Sequence, residues 1–216
     1  MRTLFTSLLI AGGILSGVWP VAAQAPREVK IVVLGDSLSA GYQLPAADAF
    51  PAKLQAALRA RGQAVSIENA GVSGDTSTGG LERLDWSVGD GTDAVILQLG
   101  ANDALRGLDP AITRRNLDTI VEKLKQRQID VLLAGMLAPP NMGSAYAGAF
   151  NPIFTDLATK YGLILDPFFL DGVMTVAGLS LPDGMHPNAR GVDVMVQRIL
   201  PKVEELIAAV RARRGG

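Results

Sequence analysis

Residues 29–42 read VKIVVLGDSLSAGY, and the turn inside this stretch decides how the chain folds. Ile31 to Leu34 form an apolar run rich in β-branched residues, the composition of a strand buried on both faces of a sheet. The run stops at Gly35, and Asp36-Ser37-Leu38 follow at once. Open α/β sheets present a reactive side chain in this way, at the carboxyl end of a buried strand that turns abruptly into polar residues. Ser37 is therefore a candidate nucleophile. Asp and Ser at this point also suit the N-cap of a following helix, so the stretch by itself leaves both readings open.

Working outward, apolar runs alternate with segments of helical spacing. Strands are expected over Val65 to Glu68, Asp93 to Leu99, Ile129 to Met136 and Leu163 to Leu165. Helices are expected from Asp48 to Arg61, in a short stretch ending at Leu84, from Pro110 to Arg127, from Ser144 to Tyr161 with a kink at Pro152, and from Ala189 to Arg213 with a kink or break at Pro201. Asp166 to Pro187 reads as loop with one short helix. Strands alternating with helices give an α/β chain whose parallel sheet is covered on both faces. No internal repeat and no linker divides residues 26–216, which are expected to form one domain.

The chain has 216 residues, 20 Lys and Arg against 21 Asp and Glu, and a formal net charge of −1. That balance argues against a nucleic-acid surface, which needs a basic excess. With 48% hydrophobic residues the sequence is globular and not disordered. It has no cysteine, which excludes disulfides, thiolate nucleophiles and Cys-containing zinc sites. At the amino end, Arg2, the apolar segment Leu4 to Val18 and the small-x-small triplet Ala23-Gln24-Ala25 have the layout of a secretory signal cleaved after Ala25. The expected location is therefore periplasmic or secreted. With no cysteine after the apolar segment there is no lipoprotein anchor, and no later stretch is apolar enough to span a membrane.

A serine hydroxyl becomes a useful nucleophile only when a base takes its proton. The usual base is histidine, and this chain has one, His186. Asp183 lies three residues earlier in a loop-forming stretch with Pro182, Gly184 and Pro187, where its carboxylate can fold back onto the imidazole and fix its tautomer. The order Ser, Asp, His is that of α/β-hydrolases, but Ser37 lies in Gly-Asp-Ser-Leu and not in G-x-S-x-G. A developing oxyanion needs donors. The candidates are the Ser37 N–H, the N–H of Gly74, which lacks a Cβ to obstruct approach, and the side-chain amide of Asn102, delivered directly after the third strand. Ser39 and Ser73 read as turn serines, and Asp36, Asp75 and Asp103 as loop organisers bonding local backbone. Trp86, Phe168 and Phe169 read as packing residues, with Phe168 also a pocket candidate. One histidine and no cysteine leave only carboxylate clusters as metal ligands, and none has the spacing of a calcium loop, so no metal and no cofactor are expected.

Four blocks in order, Gly35-Asp36-Ser37-Leu38, Gly71-Val72-Ser73-Gly74-Asp75-Thr76, Gly100-Ala101-Asn102-Asp103 and Asp183-Gly184-Met185-His186-Pro187, resemble the SGNH (GDSL) hydrolase family. The likeness runs from about Lys30 to Leu206 and is nearest to the thioesterase I, lysophospholipase and arylesterase type, with GDSLSAGY, SGDTS, NDALRG and DGMHPN as shared text. The resemblance implies a three-layer α/β/α fold with five parallel strands in the flavodoxin-like arrangement. It implies a triad of Ser37, Asp183 and His186 with Ser37, Gly74 and Asn102 as oxyanion hole. It also implies small-molecule substrates: carboxylic esters, aryl esters, acyl thioesters and lysophospholipids. Carbohydrate O-deacetylation on the same triad is the alternative, and a non-catalytic binding protein for acyl or aromatic ligands a more distant one. Leu137, Pro139 and Met142, in the apolar loop Leu137 to Gly143 after the fourth strand, are the expected substrate-binding residues and favour acyl or aryl groups over sugars.

Overall fold

A computed structural model describes residues 27–215. The expected signal segment, with Arg2, Leu4 to Val18 and Ala23-Gln24-Ala25, lies outside the described residues. Five strands, β1 (Val29–Gly35), β2 (Val65–Gly71), β3 (Ala94–Gln98), β4 (Asp130–Ala134) and β5 (Ile164–Asp166), form one sheet. All neighbours run parallel, in the order β2-β1-β3-β4-β5, which is the flavodoxin-like order. The chain leaves β1 for β2 on one side and returns to β3 on the other. The crevice beyond the carboxyl ends of β1 and β3 is thus the switch point where such sheets place their sites. Register keeps that edge level, with Gly35 opposite both Gly71 and Gln98.

The helices are α1 (Ser37–Ala40), α2 (Phe50–Ala60), α3 (Ser77–Glu82), α4 (Leu84–Ser87), α5 (Ala101–Leu105), α6 (Pro110–Gln126), α7 (Ser144–Phe150), α8 (Pro152–Tyr161) and α9 (Ala189–Gly215). Helices α2 and α9 pack together on one face of the sheet, and α6 packs with α3 and α8 on the other. Helix α6 shows why the chain turns helical where it does. The Asp109 side chain accepts from the Ala111 N–H at 2.9 Å, Pro110 occupies the first turn, and Lys123 and Lys125 face the carboxyl end of the dipole. Its buried residues Thr113, Leu117, Ile120, Val121 and Leu124 recur at three- and four-residue spacing. Every residue of β3 is buried, as a central strand requires.

Four local expectations are corrected. Strand β2 continues past Glu68 to Gly71, because an edge strand keeps pairing with β1 while its outer residues, Glu68 and Asn69, meet solvent. Pro201 does not break α9. It lies on the exposed face, where the Gln197 carbonyl that loses its partner is also on the solvent side. Pro152 separates two helices at Asn151 and starts α8, whereas a kinked single helix was expected. Between β5 and α9 the described residues form turns and one isolated bridge, Ser180 to Pro187, without the expected short helix.

Candidate active site

Ser37 is delivered by the shortest possible turn. Strand β1 ends at Gly35, and Asp36 caps α1 by accepting the Leu38 N–H at 3.0 Å. A side chain at Gly35 would run into the Ser39 hydroxyl and come within 2.7 Å of Gln98 Oε1, so only glycine allows the strand to turn this tightly. The cap reading of the opening stretch holds for Asp36, and Ser37, the first residue of the helix, stands at the sheet edge, which leaves it available as the candidate nucleophile.

From the other end of the chain comes the loop of Asp183 and His186. The Asp183 Oδ1 accepts the N–H groups of Met185 (2.9 Å) and His186 (3.0 Å), and its Oδ2 lies 2.7 Å from His186 Nδ1. His186 Nε2 lies 2.9 Å from Ser37 Oγ. The His186 N–H above all, with the Met185 N–H and the imidazole, holds the Asp183 carboxyl down at about 2. Asn188 anchors this loop: its amide donates to the carbonyls of Gly178 (2.9 Å) and Ser180 (3.2 Å), while its Oδ1 accepts the Arg190 and Gly191 N–H groups at the start of α9. The Tyr42 ring lies over the imidazole, centroids 4.4 Å apart and planes tilted by 35°. Neither Asn188 nor Tyr42 was singled out from sequence; an Asn directly before an apolar helical repeat was the available signal for the former.

The segments bearing the three candidate oxyanion donors also come together. As the first residue of α1, Ser37 has an N–H with no acceptor within the helix. Gly74 has φ of +83°, a left-handed conformation natural to glycine, and its carbonyl accepts from Arg106 at 2.6 Å. Asn102, in α5, donates from Nδ2 to the Asp75 carbonyl at 2.9 Å and at 3.4 Å to Asp36 Oδ2. It therefore touches the residue before Ser37 and the residue after Gly74. Asp36 reaches beyond local backbone, and its burial pushes the carboxyl up to about 6. Asp103 is fully buried and accepts from the Ser77 N–H (2.8 Å), the Ser77 hydroxyl (2.5 Å) and the Thr113 hydroxyl (3.0 Å), joining the β2 and β3 connections.

Leu137 stands exposed in the loop three residues past the end of β4, and Pro139 and Met142 are half-buried further along it. Met142 Cε lies 3.2 Å from where a side chain on Gly107 would begin, so this loop leans on the segment just after Asn102. Asn151 pins it by accepting the Ala138 N–H at 2.8 Å. Phe169 is fully buried and meets Phe50 edge-on at 4.9 Å, and Phe168 is partly buried against the core. Trp86 corrects its packing assignment: it is 74% exposed on α4. Among the described residues no group of three or more His, Cys, Asp or Glu could hold a metal ion.

Residues 33–194 match the GDSL-like Lipase/Acylhydrolase family. The chain is 39% identical over 169 residues to an arylesterase of Vibrio mimicus, covering 78% of this chain and 84% of that protein. It is 36% identical over 178 residues to a protein of Escherichia coli named thioesterase 1/protease 1/lysophospholipase L1, covering 80% and 84%. The solved structure of AlinE4, a SGNH-hydrolase family esterase, superposes with a TM-score of 0.71 at 44% identity, over 84% of this chain and 97% of that one.

Proposed function

The chain belongs to the GDSL-like lipase/acylhydrolase family and is a GDSL-type serine hydrolase of esters, and from that premise we propose that it works through an acyl-enzyme on Ser37, with His186 as base and Asp183 as its orienting partner. Ser37 Oγ attacks the acyl carbonyl carbon while His186 Nε2 takes its proton. The tetrahedral oxyanion is met by the N–H groups of Ser37 and Gly74 and by the Asn102 amide, whose long contact to Asp36 is the one to be exchanged. His186 then protonates the leaving alcohol or thiol. Water, deprotonated in turn by His186, releases the acid and restores Ser37.

The observation that carries this reading is the continuous chain Ser37 Oγ, His186 Nε2, His186 Nδ1, Asp183 Oδ2, with links of 2.9 and 2.7 Å. Its test is covalent labelling with a fluorophosphonate. Wild type should be labelled and Ser37→Ala should not; His186→Ala should lose nearly all labelling and turnover, and Asp183→Asn should lose roughly a thousandfold or more in kcat. Retention of most turnover by His186→Ala would remove the proposed base.

For substrate, we favour aryl and acyl esters, extending to acyl thioesters and lysophospholipids, bound against Leu137, Pro139 and Met142. Support comes from the apolar composition of that loop, from the exposed Leu105 facing solvent in the neighbouring connection, and from the names of the relatives. An enzyme confined to acetyl groups and fastest on acetylated saccharides would instead be a carbohydrate O-deacetylase. We further propose that residues 26–216 act as one domain in the periplasm or outside the cell after cleavage at Ala25. No helix among the described residues is long and apolar enough to cross a membrane, and the mass of the protein recovered from cell fractions tests the cleavage.

A further inference from the structure

We propose that Arg83, at the carboxyl end of α3, is a positioning residue that holds the three oxyanion donors in one constellation, an inference that rests on the reading of Ser37, Gly74 and Asn102 given above. Arg83 is only 7% exposed. Its Nε donates to Asp75 Oδ2 at 2.7 Å, Nη1 to the Ala70 carbonyl (2.8 Å) and the Ser87 hydroxyl (3.0 Å), and Nη2 to the Gly35 carbonyl at 2.8 Å. Each partner belongs to a different part of the site or its support. Gly35 is the last residue of β1, two before Ser37. Ala70 and Asp75 flank the turn that carries Gly74. The backbone carbonyl of Asp75 is the acceptor that holds the Asn102 amide at 2.9 Å. The guanidinium is thus one bond from the segments bearing Ser37 and Gly74, and two bonds from Asn102.

Burying a cation is costly unless its hydrogen bonds are made, and an apolar side chain would fill the same volume without that cost. What the guanidinium adds is geometry: a rigid planar fork fixes the directions of several acceptors at once, which a lysine ammonium cannot do. Oxyanion donors act only when aimed at one point, and a displacement of about 1 Å can cost on the order of a hundredfold. Arg83 touches neither substrate nor reacting atoms, so its effect should appear in kcat and depend on Asn102.

The experiment measures kcat and KM per active site, counted by fluorophosphonate titration carried to completion, for wild type, Arg83→Lys, Asn102→Ala and the double variant. Asn102→Ala should lower kcat by roughly a hundred- to a thousandfold with KM little changed. Arg83→Lys should lower kcat by about ten- to a hundredfold with KM unchanged, and should cost only a few-fold more in the Asn102→Ala background, because the donor it aims is already gone. Full kcat per active site in Arg83→Lys, or a loss undiminished in the Asn102→Ala background, overturns the proposal and leaves Arg83 as a fold-stabilising residue. Should Arg83→Lys not fold, Asp75→Asn keeps Arg83 in place and weakens its one charged contact; it should reproduce the kcat loss at constant KM, and unchanged kcat there overturns the proposal equally. Turnover surviving in Ser37→Ala would mean that the underlying site is misassigned, whereas an inactive Ser37→Ala beside a fully active Arg83→Lys defeats only the role of Arg83.

Discussion

Asp36 and Asp183 are both bonded to backbone N–H groups, yet their carboxyls move in opposite directions. Asp183 accepts the His186 N–H on a loop and is held down at about 2, so whatever it adds to stability is present above pH 3.8 and is lost as the pH falls through about 2. Asp36 is buried, and desolvation raises it from 3.8 to about 6. A raised carboxyl favours folding most below pH 3.8, and that contribution disappears as the pH rises through about 6, a change of about 3 kcal/mol at neutrality. Asp36→Asn keeps an oxygen for the Leu38 N–H but cannot ionise. Relative to wild type it should therefore be more stable at pH 8 than at pH 4, by a difference approaching that amount, in denaturant unfolding at the two pH values. An unfolding difference independent of pH would mean that Asp36 is already solvated. The residues proposed to do chemistry were legible because such a reaction restricts the side-chain types: one histidine, a carboxylate three residues away, a serine at a strand end. Arg83, Tyr42 and Asn188 were not. Asn188 bonds only to backbone carbonyls and N–H groups, and Arg83 to two backbone carbonyls beside two side chains, partners that no sequence pattern marks, and the contact of Tyr42 with His186 joins residues far apart in the chain.

At the level of elements, the 137–143 loop makes the sharpest claim. Its Met142 leans on Gly107, and Asn151 holds its start through Ala138. If it receives the acyl chain, each buried methylene is worth about 0.8 kcal/mol, or several-fold in kcat/KM, until the pocket is full. Met142→Ser and Leu137→Ser should flatten the rise of kcat/KM along a series of p-nitrophenyl esters of increasing chain length, while leaving acetate-ester hydrolysis largely intact. An unaltered chain-length profile in both variants would place the acyl pocket elsewhere. Elements with a buried face, such as α6, were legible from spacing because burial imposes a period. Those on the rim were not. The end of β2 carries polar residues because its outer side is wet, and α9 tolerates Pro201 because the lost hydrogen bond faces water; in both cases solvent relaxes the rule that sequence reading relies on.

For the molecule as a whole, the sheet is tied to its last helix through Asp166, the fully buried end of β5. It accepts from Arg198 at 2.5 and 2.8 Å and from Lys202 at 3.2 Å, while Arg198 also reaches the Phe169 carbonyl at 3.0 Å. Asp166→Ala would take the shared carboxylate from Arg198 and Lys202, whose side chains keep 22% and 31% exposure, and losing charge-assisted hydrogen bonds of this kind typically costs about 1.5–3 kcal/mol. A fall of that size should be seen as a lower urea midpoint at unchanged slope; a loss under about 1 kcal/mol would class the cluster with surface pairs. Alternation of strands and helices made the parallel sheet legible, but the order of its strands came from family resemblance, since β1, β3 and β4 are all apolar runs and hydropathy cannot say which lies next to which. The contact between Ser37 and His186 joins residues 149 positions apart. On the assignment proposed above, Ser37 emerges during synthesis long before its base, and the growing polypeptide carries a serine that nothing activates. On that assignment hydrolytic power requires the loop preceding α9 to reach across the sheet to Ser37. Labelling at Ser37 would then report that these two distant segments have come together.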